Sequence, residues 1–593
     1  MRGGERSWVA AWVAAIVALS LLPYLVGYRH SSPDAVFLGH VDPVHQDAGY
    51  HLGWAKQASK GRVLLEYQLS GRDTQTRLTF NLLFLSIGWT ARLLDIPLPI
   101  AFQIVRCAVA VVLLWLIYLF VRRFVPDRSY RWFALGLIAL SGGLGWIEML
   151  GIASWPPGTD QLWRPCGDDA CWVETSTFWH MRWDVVTTPA VALLLGVFLL
   201  SLRFLDTRRW SYALAAGAAT VALALVHPHE LTTVFAVLGA YLLLDTVHGR
   251  IERGESLSVA EQWPRWGLLI VIGTMAVPVV GYYLVIISRD SVLWSAWQPI
   301  EYPIPQLLMG FGVPSVLALV GVVSIVASRR HESYFPLLWP GLALVLLRIP
   351  VPPLGQTFLL DGLHVPVCVL AAHGAQALVE GVWPRSARAG ANDRLRTRLL
   401  GTVAAVVLAL SWLTSVLDLA NEVALARGSS QGPFYNQRFE IAAAEHAVVA
   451  EPGNATASPY FLPGDLWAAY AWLDEHADPS DVVLAAPYLT TLVPYLSGNR
   501  VFFGNLESTV DSERKLAAIR RFFDLSDDGA RDEERRELIE KGTIDYVLFW
   551  VPAGPGLAGS VAGRVGGSRG RVVHEQGRAA VLATGDTYVA GDT

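Results

Sequence analysis

The sequence predicts a polytopic α-helical membrane protein with about eleven transmembrane helices, a long loop after the first helix and a soluble α/β domain at the C-terminus. Hydrophobic residues make up 53% of the 593 residues and charged residues only 16%, whereas a soluble chain has about 25% charged residues. The mean hydropathy is +0.39. Most of the chain is therefore expected to lie away from water. The net charge is only −5 and the basic residues form no continuous face, which argues against nucleic-acid binding.

Apolar stretches define the predicted spans, because crossing the bilayer core takes ~20 apolar residues. The stretch 79–95 is apolar but short and carries Asn81, Arg92 and Asp95, so we predict a helix lying in the membrane interface. The first span lacks a small-residue cleavage site before polar sequence and is predicted to be retained. We place the spans at residues 8–28, 100–121, 131–152, 185–205, 210–227, 231–248, 266–287, 306–327, 333–348, 362–380 and 399–420.

The distribution of arginine predicts the orientation of these spans. If the N-terminus is cytoplasmic and 79–95 does not cross, the cytoplasmic segments hold nineteen arginines and the short outer loops hold four. Cytoplasmic loops of membrane proteins carry the excess of basic residues. The sequence therefore predicts a cytoplasmic N-terminus and an extracytoplasmic C-terminus. A crossing at 79–95 would reverse the bias.

The composition changes after about residue 421, where sustained apolar runs stop. Short strands and helices are predicted to alternate from there, which is typical of a small α/β domain. The predicted division is a membrane domain at 1–420, with the first outer loop at 29–99, and an extracytoplasmic domain at 421–593. The predicted strands are 481–486, 500–503, 546–550 and 579–583, and the predicted helices are 489–496, 511–523 and 531–541.

Two of the four cysteines lie in the polar second outer loop. Cys166 and Cys171 are expected to form a disulfide if that loop faces an oxidising compartment. A zinc site is the weaker interpretation, because a single pair with this spacing lacks a second pair of ligands. Cys107 and Cys368 lie in apolar segments and are interpreted as packing residues.

The first outer loop brings several ionisable residues close together in sequence. Asp47 begins a run that is predicted to be an interfacial helix, with Asp42 before it and Tyr50 and His51 just after it. A carboxylate at a helix start is stabilised by the positive end of the helix dipole, and a simple N-cap needs no further role. From this loop alone, Asp47 is either an N-cap or a catalytic base.

A second candidate group is the run His227, Pro228, His229 and Glu230 between two apolar spans. Ionisable side chains at the edge of the hydrocarbon are costly and are functional candidates by default. These residues are candidates to bind a divalent metal, or to hold a lipid phosphate if the histidines are protonated. The alternative is a tight turn, in which proline ends the helix and the polar side chains lie among the headgroups.

Two further pairs of residues are predicted to lie on the same outer side. His180 and Arg182 close the second outer loop, and Asp361 and His364 open a later span. The planar guanidinium of Arg182 suits phosphate oxygens; its alternative role is an interfacial anchor beside neighbouring tryptophans. Asp361 has the alternative of simply ending a loop.

The order of these features resembles the GT-C superfold of integral-membrane glycosyltransferases. The residues that carry the resemblance are the pattern D-x-x-Y-x-x-x-x-A-x-x-x-x-x-G from Asp47, the apolar stretch 81–97 that follows, and Arg106 in the next helix. Near the C-terminus, S-G-N-R at 497–500 and G-T-I-D-Y-V at 542–547 resemble the outer domain that bacterial members often carry. The resemblance covers the general plan of the whole chain.

The resemblance implies a polyprenyl-phosphate-linked sugar donor in the bacterial cytoplasmic membrane. The acceptor would be an extracytoplasmic glycan, glycolipid or protein. Asp47 would take the place of the catalytic carboxylate and act as general base on an acceptor hydroxyl. Ala48 rather than a second acid follows Asp47, so it stays open whether Asp47 works alone or with Asp42 and a divalent metal. The residues that would contact substrate are Tyr50, His51, His180, Arg182, Asp361 and His364, and the candidate metal ligands are Asp42, His227, His229 and Glu230.

The alternative function is a non-enzymatic transporter or an assembly factor of the cell envelope. Transporters often show internal repeats and helices broken near the middle of the membrane, and the sequence shows neither pattern. It also has no phosphate-binding loop of the ATPase type. The sequence therefore favours the enzyme.

Overall fold

A computed structural model of the chain provides the fold. It describes residues 3–42, 46–73, 77–152, 176–184, 186–252, 259–289, 304–328, 333–349, 356–382, 393–434, 458–505, 509–524, 530–551, 556–567 and 570–584. The side chain of Asp47 and the cysteines Cys166 and Cys171 lie outside these described parts.

Most of the described chain is helical. The helices of the first 426 residues are α1 (Gly3–His30), α2 (Gln46–Ser59), α3 (Leu82–Leu94), α4 (Leu98–Phe124), α5 (Arg128–Leu140), α6 (Trp146–Met149), α7 (Thr177–Trp183), α8 (Thr187–Thr207), α9 (Trp210–Val226), α10 (Leu231–Glu252), α11 (Val259–Arg289), α12 (Ile304–Phe311), α13 (Val313–Ala327), α14 (Tyr334–Leu346), α15 (His364–Val382) and α16 (Asp393–Ala426). Two 3-10 turns, Pro228–Glu230 and Gln356–Leu360, precede α10 and α15.

The C-terminal region contains shorter elements. Its described helices are α17 (Gly464–His476), α18 (Pro487–Thr490), α19 (Leu492–Leu496), α20 (Ser512–Phe522), α21 (Asp532–Lys541) and α22 (Leu557–Gly566). The strands among all described residues are β1 (Ala35–Phe37), β2 (Phe461–Pro463), β3 (Val482–Leu484), β4 (Arg500–Val501), β5 (Tyr546–Trp550), β6 (Gly570–Gln576) and β7 (Ala579–Thr584).

Seven helices in the described part of the chain have the length and composition to cross a membrane. They are α1, α4, α8, α10 together with the 3-10 turn before it, α11, α15 and α16. Four shorter apolar helices, α3, α9, α13 and α14, accompany them. The chain is therefore an integral membrane protein, and the count of eleven spans stays a prediction.

Two predicted spans differ from the structure in extent. The span 131–152 is wrong, because α5 ends at Leu140 and the backbone continues without helix until α6. Glycines at 142 and 143 disfavour helix there, and the amide of Gly142 donates to the carbonyl of Ser411 at 2.9 Å instead. The span 306–327 divides at Gly312, whose φ of 61° is open to glycine and costly for other residues.

Ion pairs define one end of the helix bundle. Arg131 pairs with Glu5 at 2.5 Å, and Arg123 pairs with Asp206 at 2.6 Å. These contacts bring together the start of α1, the ends of α4 and α8 and the start of α5. The predicted cytoplasmic segments that carry these residues therefore share one end, which we call the arginine end. The opposite end, where α1, α9 and α16 finish, we call the loop end.

The tightest helix contact joins α13 and α15 through glycine. A Cβ at Gly374 would lie 1.9 Å from the carbonyl oxygen of Leu317, and one at Gly321 would lie 2.0 Å from that of Leu370. Such distances lie far inside van der Waals contact, so only glycine permits this approach of the two backbones. Close packing of small residues is a main source of stability between membrane helices.

The C-terminal region forms a five-stranded sheet in the order β4-β3-β5-β7-β6. The strand β3 runs parallel to both β4 and β5, while β7 pairs antiparallel with β5 and β6. The predicted strands and helices of this region are found, with the predicted helix 489–496 divided into α18 and α19, and this confirms an α/β fold. The elements β2, α17, α22 and β6 were not predicted. The predicted domain boundary at residue 420 falls inside α16.

We expect Gly374→Ala to destabilise the protein by about 1–3 kcal/mol, because the added methyl group overpacks the contact with α13. The measurement is thermal or denaturant unfolding of the purified chain in detergent. The matched control is Gly239→Ala in α10, where a Cβ meets no atom within 4 Å. That control should be neutral or slightly stabilising. Equal unfolding free energies for the two variants would contradict the close contact at Gly374.

Candidate functional site

The candidate site lies at the loop end and begins with helix α2. This helix starts at Gln46, so Asp47 belongs to its first turn. The carboxylate of Asp42 accepts a hydrogen bond from the amide of Ala48 at 3.2 Å. Asp42 therefore caps the first turn of α2.

His51 occupies the next turn of α2 and faces three other segments. It interacts electrostatically with Asp184, His227 and Asp42. Its ring stacks on Phe84 of α3, with ring centroids 5.1 Å apart and planes 21° apart. Burial lowers the pKa of His51 to about 4. His51 is therefore neutral at pH 7 and offers a hydrogen bond rather than a positive charge.

The second outer loop contributes His180 and Asp184. Asp184 caps α8 by accepting hydrogen bonds from the amides of Val186 at 3.0 Å and Thr187 at 3.1 Å. Burial acts to raise the pKa of Asp184, but His180, Thr187 and His51 outweigh it, so this pKa is lowered. Burial lowers the pKa of His180. Asp184 is therefore a half-buried carboxylate that stays charged beside two neutral histidines.

The turn after α9 supplies the third part of the site. His227 ends α9, and Pro228 begins the 3-10 turn that places Glu230 at its end. Asn81 donates to the carbonyl of Val226 at 2.9 Å while it accepts from the amide of Leu83 at 3.0 Å. Asn81 therefore caps α3 and ties it to the end of α9.

Three residues at this point have the chemistry of a metal site. Among the described residues, His227, Glu230 and Asp361 form a group whose ligand atoms all lie within 4.8 Å of one another. The Nδ1 atom of His227 lies 3.6 Å from a Glu230 oxygen and 3.9 Å from an Asp361 oxygen, which is too far for hydrogen bonds. Two ligands of one tetrahedral zinc, bound at ~2.0–2.2 Å, lie roughly 3.3–3.6 Å apart. The three residues therefore fit a divalent cation.

The burial of Glu230 strengthens this interpretation. Its side chain is fully buried, and neither carboxylate oxygen hydrogen-bonds to any residue that the structure describes. A buried charge without a partner is strongly destabilising. A bound cation would supply that partner.

Two of the four predicted metal ligands belong to this group. His227 and Glu230 do, whereas Asp42 caps α2 and His229 stacks on Phe358 with ring centroids 4.4 Å apart. Asp361, predicted as a substrate residue, completes the group. Sequence spacing did not show this, because Asp361 lies 131 residues beyond Glu230.

Arg182 has carboxylate partners inside the protein. It is fully buried, hydrogen-bonds to Asp418 and lies 3.4 Å from Glu422 of α16. These contacts hold α7 against α16, and contact of this guanidinium with phosphate stays a prediction. The sequence carried a signal for this pair, because Asp418 and Glu422 are four residues apart in an apolar helix and acids there usually have partners.

His364 is also engaged by neighbouring helices. Its Nδ1 atom accepts from the amide of Thr177 at 3.2 Å, so its proton is on Nε2 and is donated to the hydroxyl of Ser141 at 2.7 Å. His364 therefore joins α15 to the start of α7 and the end of α5. Tyr50, the remaining predicted substrate residue, lies beside His51 with ring centroids 4.0 Å apart and is half-buried.

Solved structures share this fold at low sequence identity. The arabinofuranosyltransferase AftD from Mycobacteria aligns with 98% of this chain and 40% of its own length, at 14% identity and a TM-score of 0.51. The apo oligosaccharyltransferase of Archaeoglobus fulgidus aligns with 95% of this chain and 72% of its own, at 12% identity and a TM-score of 0.50. ArnT from Cupriavidus metallidurans, bound to undecaprenyl phosphate, aligns over 100% of both chains at 13% identity and a TM-score of 0.45.

No protein-family model matches the chain, and no curated protein matches it in sequence. The structural likeness shows the fold: the chain is a polytopic membrane protein with the GT-C fold. The resemblance that the first-loop pattern indicated is thereby confirmed at the level of fold.

The buried His51 predicts an acid-dependent stability. Its folded pKa of about 4 lies below the ordinary value of about 6.5, so between these pH values the unfolded chain binds more protons. Stability from neutral His51 is therefore present above about pH 6.5 and lost as the pH falls toward 4. His51→Gln should flatten the decline of Tm over this range.

The control for this titration is His30→Gln, at the exposed end of α1, which should keep the wild-type slope. Differential scanning fluorimetry at several pH values gives the measurement. An identical slope for wild type and His51→Gln would show that His51 is not buried as a neutral base.

Proposed function

We propose that the chain is a membrane glycosyltransferase that moves a sugar from a polyprenyl-phosphate donor to an extracytoplasmic acceptor. The acceptor class is a cell-envelope glycan, a glycolipid or a protein. The observation that carries the proposal is the meeting of ionisable residues from four separate segments at the loop end of a GT-C fold. His51, Asp184, His227 and Asp361 represent those segments.

Asp47 is the proposed general base. It precedes His51 by four residues in α2, and residues four apart lie on the same face of a helix. Position 47 would therefore share the helix face that His51 turns toward Asp184 and His227. The Asp47 carboxylate would take the proton of an acceptor hydroxyl while the oxygen of that hydroxyl bonds to the sugar. The bond between the sugar and the phosphate breaks, and polyprenyl phosphate leaves.

The charge of the leaving phosphate calls for a cation. The buried histidines His51 and His180 do not supply it at neutral pH, because burial lowers the pKa of both. We propose that His227, Glu230 and Asp361 hold a divalent cation, which would neutralise phosphate charge when bound. The chain's own part is to hold the three ligands and to keep water from them by burial.

The first test is Asp47→Asn, which keeps the shape of the side chain and removes its basicity. We expect product formation to fall about 10²–10⁴-fold, the usual contribution of a general base. The assay uses purified protein in nanodiscs, a lipid extract of bacterial membranes as the source of donor and acceptor, and mass spectrometry of the glycosylated products.

The matched control is Asp34→Asn, an exposed acid in the same outer loop, which should retain wild-type product. A wild-type amount of product from Asp47→Asn would show that Asp47 is not the general base. The absence of any product that depends on the wild-type chain would favour the transporter or assembly factor instead.

The second test concerns the metal group. Mn²⁺ should raise the Tm of the wild-type chain, since a ligand that binds only the folded state stabilises it. Glu230→Gln should weaken Mn²⁺ binding by at least about tenfold and reduce that rise in Tm. Without metal, the same variant should be as stable as wild type or more so, because it removes a buried charge.

Electron paramagnetic resonance of free Mn²⁺ gives the affinity directly. Asp206→Asn, whose carboxylate lies at the arginine end, serves as control and should keep the wild-type affinity. Equal affinities for wild type and Glu230→Gln would place the cation elsewhere.

A further inference from the structure

The first outer loop and the C-terminal region share one hydrophobic core. Strand β1 of the loop pairs antiparallel with β2, with Val36 opposite Leu462. Past α2, the loop backbone runs beside β4: Val501 donates to the carbonyl of Gln68 at 2.8 Å, and Gly504 donates to that of Leu69 at 3.0 Å. The loop backbone is therefore hydrogen-bonded to the edge of the C-terminal sheet.

A buried ion pair locks this edge in place. Glu66 of the loop and Arg500 of β4 are both almost completely buried, and their charged groups lie 2.9 Å apart. Removing Glu66 would leave the buried Arg500 without its charged partner, which is strongly destabilising. The contact is therefore part of the folded structure.

The helix α2 is in turn held by the C-terminal region from Gly49 to its end. Near its end, Lys56 and Lys60 both pair with Asp474 of α17, at 2.5 and 2.6 Å. Nearer its start, two glycines one turn apart pack against the segment that contains α18 and α19. A Cβ at Gly49 would lie 2.4 Å from the carbonyl oxygen of Thr491, and one at Gly53 would lie 2.7 Å from the Cβ of Pro494.

The position of Gly49 gives this contact a consequence for the site. Gly49 lies two residues after Asp47 and two before His51 in the same helix. The obstacle that a side chain at position 49 would meet is a backbone oxygen, which cannot rotate away as a side chain can. Any atom added there must displace the backbone of α2 or of Thr491, and a displacement of α2 would carry positions 47 and 51 with it.

We infer that the C-terminal region sets the position of α2, with Gly49 and Gly53 as positioning residues for the reaction at the loop end. This inference rests on the proposed function and deepens it. The C-terminal region thereby acts on the chemical step through α2 and needs no contact with the reacting atoms. Displacements of about 1 Å at a site can lower rates about a hundredfold, so a modest shift of α2 suffices.

The test compares alanine substitutions in the full chain, in nanodiscs with the same membrane lipid extract. Gly49→Ala should lower kcat about tenfold to a hundredfold while KM for the lipid donor stays within about twofold. Gly53→Ala should have a smaller effect because it lies a turn further from Asp47. Gly196→Ala in α8, where a Cβ meets no atom within 4 Å, is the control and should match wild type.

Two further readouts separate positioning from a general loss of folding. Amide hydrogen exchange over residues 46–59 should rise in Gly49→Ala and stay unchanged in Gly196→Ala. The Tm of Gly49→Ala should fall because the added methyl group overpacks the contact with Thr491, but the variant should remain folded at the assay temperature. A fall in Tm that accounts for the whole loss of turnover would overturn the inference and leave Gly49 a packing residue.

The Asp47→Asn variant, run in parallel, separates the two proposals. Wild-type turnover in Gly49→Ala together with an inactive Asp47→Asn would contradict the positioning role of Gly49 but not the glycosyltransferase function. Unchanged product from both variants would overturn the proposed function and, with it, the inference.

Discussion

A charge that is buried away from water needs a partner, and this constraint organises the loop end of the protein. Arg182 meets it with Asp418 and Glu422 of α16, and Asp184 meets it with the amides that begin α8. Glu230 makes no hydrogen bond to a described residue. The nearby ionisable groups of His227 and Asp361 are arranged with it like the ligands of a cation. The pattern separates side chains that hold the helices together from those that remain open to chemistry.

The same constraint explains why a long loop can work as part of a rigid site. Residues after the first span would be mobile if they only bridged two helices, yet the Glu66–Arg500 pair and the edge of the C-terminal sheet fix them. The membrane bundle supplies His227 and Asp361, and the C-terminal region holds the helix that carries His51. The site therefore belongs to neither part alone.

The sequence predicted the parts that depend on local pattern and missed those that depend on distant contacts. Apolar runs located the long helices, and the motif from Asp47 indicated the fold. Glycines 142 and 143 were present in the predicted span 131–152, but the apolar average concealed them. The pairing of Arg182 with Asp418 and the joining of Asp361 to Glu230 bring together residues far apart in sequence, which no single-sequence pattern specifies. Asp42 was predicted as a metal ligand, and its observed contact is the hydrogen bond that caps α2.

The most direct measurement is a cryo-electron microscopy structure of the full chain in nanodiscs with undecaprenyl phosphate and Mn²⁺. The account predicts phosphate density at the loop end, beside the turn from His227 to Glu230 and the start of α2, with metal density between His227, Glu230 and Asp361. Phosphate bound at the arginine end, near Arg123 and Arg131, or loops that hold these residues apart, would contradict it.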